Sequence, residues 1–163
     1  MKKGIVLGLS LASSLAFAAL GGRPATPEAS GTQSLQSAQT PQLARQGEPT
    51  QSVQKTTAAG VAYTDVSRQE RGGVEVHEFV DASGIVFAVR WSGPFKPDLK
   101  ELLGRHFDSF REKGAAHRGG NRSQLAVDTG EAVVVSSGHM RAFEGRAWLP
   151  SRLPAGFDTQ EMK

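Results

Sequence analysis

The stretch GVEVHEFVDASGIVFAVRWSGP, Gly73–Pro94, decides the fold. Val, Ile and aromatic residues dominate both of its arms. Gly72-Gly73 and Gly93-Pro94 bound it, which is the pattern of a β-hairpin. Asp81 in the first position and Gly84 in the fourth are the residues of a type I turn closed by a glycine bulge. In the second arm Ile85, Phe87, Val89 and Trp91 alternate onto one face, which places them in the core. Glu78 and Arg90 lie on facing arms. A three-residue bulged turn sets Glu78 opposite Ala88 and diagonal to Arg90, and a two-residue turn makes Glu75 the partner of Arg90 instead. Either pair, if exposed, contributes under about 1 kcal/mol.

Outward from the hairpin the hydrophobic period changes. Leu99, Leu102, Leu103, Phe107 and Phe110 recur at spacings of three and four, the signature of an amphipathic helix. Pro97-Asp98 suits its start, Gly104 is positioned to split it, and Gly114 to stop it. Before the hairpin, Ala59–Ser67 alternates weakly and reads as an edge strand. After the helix, QLAVDTGEAVVVSS carries further strand, and the all-apolar Ala132–Val135 reads as buried on both faces. Helix and strands are segregated. The expectation is an α+β domain: a small antiparallel sheet of about five to six strands with one broken amphipathic helix packed on one face.

The N-terminus sets a compartment. Lys2-Lys3, an apolar run from Ile5 to Leu15, and Ala16-Phe17-Ala18 form the three parts of a secretory signal, with cleavage expected after Ala18. The run is too short to span a membrane comfortably, and no second run follows. Residues 19–55, rich in Gln, Ser, Thr and Pro, read as a disordered linker, and residues 56–163 as a single small domain. Removing Lys2 and Lys3 leaves 17 basic against 16 acidic side chains, a net charge of about +1. That balance, with interspersed charges, argues against nucleic acid. The one basic cluster, HRGGNR at His117–Arg122, reads as a glycine-rich loop. Without cysteine the fold carries no disulfide and relies on its core or on a partner.

No motif for chemistry emerges. His77, His106, His117 and His139 fall in no metal-ligand spacing, so no metal or cofactor is implied. No Gly-x-Ser-x-Gly elbow occurs. Glu75 and Glu78 point to opposite strand faces. Gly119-Gly120 lacks the Lys and Ser/Thr of a phosphate loop. The densest stretch is SSGHMRAFEGRAWLP, Ser136–Pro150. A tight turn at Glu144-Gly145 would place Arg141 opposite Trp148, an arginine-over-indole contact of about 0.5–1 kcal/mol. The segment is then a structural hairpin. His139, Arg141 and Trp148 are nonetheless the candidate binding surface, because exposed aromatic and arginine clusters also mark interfaces.

The ordered series ALGG after the signal, GIVFAVRWSGP, PDLKELLG, SSGHMRAFEGRAWLP and LPAGF resembles an uncharacterised family of small exported proteobacterial proteins, a domain of unknown function. The resemblance implies a Gram-negative periplasmic or secreted address and no particular activity. Two functions fit. One is a non-enzymatic binding or accessory module of the cell envelope that presents its sheet to a protein, peptide or glycan. The other is a small periplasmic hydrolase using His139 and Arg141. The missing catalytic motifs favour the first.

Overall fold

The computed structural model describes residues 19–24, 50–70, 72–116, 124–160 and 162. The His117–Arg122 cluster, the signal and most of the linker lie outside the described residues. Within them the chain forms seven strands: β1 Gln51–Thr56, β2 Ala62–Glu70, β3 Val74–Val80, β4 Val86–Gly93, β5 Gln124–Asp128, β6 Val133–His139 and β7 Ala142–Trp148. All pairings are antiparallel, in the order β1-β2-β3-β4-β7-β6-β5. The α+β expectation holds, with seven strands rather than five to six. No helix among the described residues is long and apolar enough to cross a membrane.

The hairpin turn forms as its residues require. The Gly84 amide donates to the Asp81 carbonyl at 2.9 Å, and Gly84 has φ +79°. The Asp81 carboxylate accepts from the Ser83 and Ile85 amides, so the turn is stitched from both sides. Ile85 is only half-buried beside it.

Past the turn, an irregularity corrects the register. Val80 pairs with Val86, but Phe79 pairs with Ala88, so Phe87 is the extra residue of a β-bulge. A one-residue slip moves the following side chains to the other face. Val86, Val89 and Trp91 therefore point towards the helix, while Phe87 and Ala88 join a second cluster on the opposite face. Glu78 ends opposite Val89, not Ala88, and Arg90 ends opposite His77. Neither expected ion pair forms. Glu78 is fully buried on the helix-side face, paired with Arg68 of β2, which also holds Glu70 at 3.0 Å.

Between β4 and β5 the chain crosses the sheet as one broken helix, α1 Leu99–Leu103 and α2 Phe107–Ala116, joined by a 3-10 turn at Gly104–His106. The Asp98 carboxylate caps α1 by accepting from the Lys100 and Glu101 amides. Gly104 divides the helix as expected. Gly114 does not end it, because α2 continues to Ala116. Leu102, Leu103 and Phe110 pack on Val76, Val89, Trp91 and Val134 to form the main core.

Two segments assigned to linker belong to the fold. β1 begins at Gln51, ahead of the expected onset at Thr56, and takes the edge position, which makes β2 an inner strand. Its six residues are all exposed, so the backbone ladder and the Lys55–Asp65 ion pair hold it rather than burial. Ala19–Gly22 forms a strap between helix and sheet. Leu20 is buried in the main core and its amide donates to the Leu102 carbonyl. Gly21 and Gly22 exchange hydrogen bonds with Val86.

Candidate ligand site on the open face of the sheet

The helix covers one face of the sheet. Among the described residues the other is covered only in part, by the chain after β7. There a 3-10 turn, Pro150–Arg152, leads into LPAGF, Leu153–Phe157. Phe157 lies 4.9 Å from Phe87, 5.3 Å from Tyr63 and 5.7 Å from Phe79 between ring centroids, mostly edge to face. With Trp148, Leu153 and Met162 these rings fill one end of the face. The other end stays open and polar.

Strand registry lays the polar side chains out in rows. Across β2, β3, β4, β7 and β6, one row reads Ser67, His77, Arg90, Arg146 and Val135. The neighbouring row, from β3 to β5, reads Glu75, Ser92, Glu144, Ser137 and Gln124. A recess of about 690 Å³ lies over these rows, lined among others by Arg90, Arg146, Glu144, Ser137, Gln124 and Met162. A smaller one of about 260 Å³ shares Arg90 and Met162 and reaches Lys55, Asp65, His77 and Tyr63. The buried Met162 thus stands between two basins on one face.

In the smaller basin Asp65, 6% exposed, accepts from Lys55 Nζ at 2.7 Å and lies 2.8 Å from His77 Nδ1. Glu75 reaches His77 Nε2 at 3.1 Å. Burial opposes the Asp65 charge, but the hydrogen bonds from His77 and Lys55 outweigh it and hold the carboxyl below its usual range. The bond to Asp65 raises the His77 imidazole against the effect of burial, and the same carboxylate raises Lys55. A protonated His77 donates from both nitrogens, which matches its two carboxylate neighbours.

The larger basin is different. Arg90 and Arg146 face each other directly across β4 and β7. Among the described residues neither guanidinium has an acidic partner within ion-pair distance. Arg146 Nη2 donates to the Gln160 side-chain oxygen at 3.2 Å, and Arg146 Nε is buried with no acceptor.

The three sequence candidates part company. The β6–β7 loop is the two residues Met140-Arg141, closed by His139 opposite Ala142, not Glu144-Gly145. Arg141 takes φ +61° there. Gly145 sits in mid-strand because Trp91 lies across it: a Cβ would fall 2.2 Å from the indole. Arg141 and Trp148 are then seven residues apart along one strand, about 23 Å, so the expected stacking does not occur. Trp148 packs in the aromatic end of the face. His139 and Arg141 line an open recess of about 550 Å³ at the hairpin tip with Glu144, whose carboxylate accepts from Ser137 Oγ at 2.8 Å.

Residues 16–162 match the family described as protein of unknown function, DUF2844. The chain belongs to this family. No curated protein and no solved structure matches it. The DUF2844 match includes the strap and β1 as well as the hairpin, so the family match, like the packed residues, extends ahead of Thr56. Of the two open-face arginines, the sequence points to Arg90 only as an ion-pair partner and gives Arg146 no role. The available signal was a charged residue inside VFAVRW, the most apolar strand of the chain.

Proposed function

We propose that this DUF2844 protein is an exported binding module of the cell envelope, and that its ligand seat is the open face of the sheet rather than the β6–β7 hairpin tip. The observation that carries this is the 690 Å³ recess over Arg90 and Arg146. Its size falls in the range of small-molecule sites, and its lining mixes a few convergent polar groups with apolar surface. The export signal, cleaved after Ala18 in this reading, fits the fold: a chain beginning at Ala19 retains the whole strap. The family resemblance adds a Gram-negative periplasmic or secreted address to that signal.

A hydrolase centred on His139 and Arg141 has less support. Arg141 is committed to a two-residue turn, and the carboxylate that shares its recess, Glu144, accepts from Ser137.

Two measurements test the proposal. Protein from the periplasm should give the N-terminal sequence Ala19-Leu20-Gly21, and an intact Met1 there contradicts export with cleavage. Envelope extract should raise the melting temperature by mass action and slow amide exchange around Arg90, Ser137 and Arg146. Protection confined to the hairpin tip, or none anywhere, removes the open face as the seat.

A further inference from the structure

Directly opposed like charges destabilise a sheet, yet Arg90 and Arg146 are paired across β4 and β7 with no acid in ion-pair contact among the described residues. Acids stand nearby in the next row. Glu75 is turned to His77, and Glu144, which accepts from Ser137, makes no ion pair with either arginine. The hydrogen-bond account of Arg146 is incomplete as well. Nε and Nη2 project from one edge of the guanidinium. Gln160 supplies a neutral oxygen to Nη2 only, and Nε is left buried without an acceptor. Buried donors are rarely left unmade, and each exception calls for a missing partner.

We propose that Arg90 and Arg146 bind the carboxylate or phosphate group of a small organic acid, which takes the place of the Gln160 side chain at the Arg146 edge. An oxyanion there meets both N–H groups in the bidentate geometry that favours arginine over lysine. Gln160 is exposed and leaves at little cost. Arg90 supplies the second cation from the facing strand. The remaining lining selects the body of the ligand: Ser137, Gln124 and Glu144 offer hydrogen bonds to hydroxyl or amino groups, and the Glu144 charge disfavours a second anionic group at that end. A hydroxylated acid, such as a sugar acid or a sugar phosphate, meets these demands; a neutral sugar lacks the head group.

This inference rests on the open face being the ligand seat, and its test separates the two. Calorimetric titration of the chain from Ala19 uses glucuronate, glucose 6-phosphate, inorganic phosphate and glucose as probes. Glucuronate or glucose 6-phosphate should bind at one site, with glucose silent. Comparison of these two probes with inorganic phosphate shows whether carboxylate or phosphate is preferred and whether the sugar body contributes. Arg90→Gln and Arg146→Gln should each weaken binding about tenfold or more, and Gln160→Ala should not weaken it. In parallel, the Arg146 Nε–H resonance should shift with the anion and stay fixed with glucose, a readout that needs no variant to fold. Failure of both organic anions at millimolar concentration, equal binding by the double Arg→Gln variant, or weaker binding by Gln160→Ala overturns the proposal. If the anions fail while envelope extract still protects the open face, the ligand class falls and the seat stands.

Discussion

Replacing Leu20 with Ala probes the most unexpected part of the fold, the strap. Leu20 is 1% exposed and sits in the main core beside the helix that it braces. The substitution removes three carbons from a fully buried site. At about 0.8 kcal/mol for each buried methylene, the transfer loss is about 2.4 kcal/mol. The cavity left behind adds to this, and buried Leu→Ala changes span about 2–5 kcal/mol. Only three backbone hydrogen bonds tie the strap to Leu102 and Val86. A strap so lightly tied can shift to close part of the cavity, which favours the lower half of that span, about 2.5–3.5 kcal/mol. For a domain of this size the loss corresponds to a fall in melting temperature of about 10 °C. The assay is thermal unfolding of the chain from Ala19, with Val53→Ala as the control. Val53 is 52% exposed on β1, and its loss should be minor. A chain beginning at Thr50 should lose at least as much as Leu20→Ala. If Leu20→Ala and the chain from Thr50 both melt with the wild type, the strap contributes nothing and the reasoning is refuted.

Three further outcomes follow from the same geometry. Glu78→Ala leaves the largely buried Arg68 with only the partly exposed Glu70 as acid and should cost about 1–3 kcal/mol by denaturant unfolding, while Arg68→Met with Glu78→Leu should recover most of it; an equal loss in the double variant contradicts the ion-pair account. The raised His77 and lowered Asp65 give opposite pH limits: Asp65 stabilises above its ordinary pKa of 3.8 and is lost as pH falls through its depressed value, whereas His77 stabilises below 6.5 and is lost as pH rises through its elevated value. Melting temperature against pH should therefore decline on the alkaline side of 6.5 in the wild type, and His77→Gln should flatten that decline; an unchanged slope refutes the link. Trp148→Ala should destabilise by about 1.5–3 kcal/mol by emptying part of the aromatic end, whereas Arg141→Gly should stay within about 0.5 kcal/mol of wild type because φ +61° suits glycine, and a large loss in the second would show that the arginine side chain braces the hairpin.

Much of the fold was legible because its elements carry local signals. The Asp81–Gly84 turn, the Asp98 cap and the Gly104 break each follow from one or two residues whose backbone preferences match the geometry found. β1 carried no such signal. QSVQKT has neither alternation nor burial, and an edge strand that buries no side chain looks like linker in composition. The strap escaped for a related reason. Four residues, Ala19–Gly22, are too few for any periodicity, and their role depends on contacts with Leu102 and Val86, more than 60 residues away in the chain.

The site was hidden by two glycines and a bulge. Gly145 after Glu144 has the form of a turn, but its lack of a side chain is used by Trp91 from the neighbouring strand, a requirement visible only once β4 and β7 are known to pair. Gly138 gives way to Phe143 in the same manner. Placing the turn four residues too late hid the pairing of Arg146 with Arg90. On the other strand, simple alternation from the Asp81–Gly84 turn sets Phe87 with the core and Glu78 within reach of Arg90; the extra residue at Phe87 reverses both. That one residue separates Glu78 from Arg90 by the thickness of the sheet. Glu78 goes to the buried face with Arg68, and Arg90 goes to the open face with Arg146 and, among the described residues, without an acid. The unpaired arginines are thus a consequence of register, and a bulge that frees a charged side chain onto an uncovered face is where a sheet of this kind acquires a place to bind.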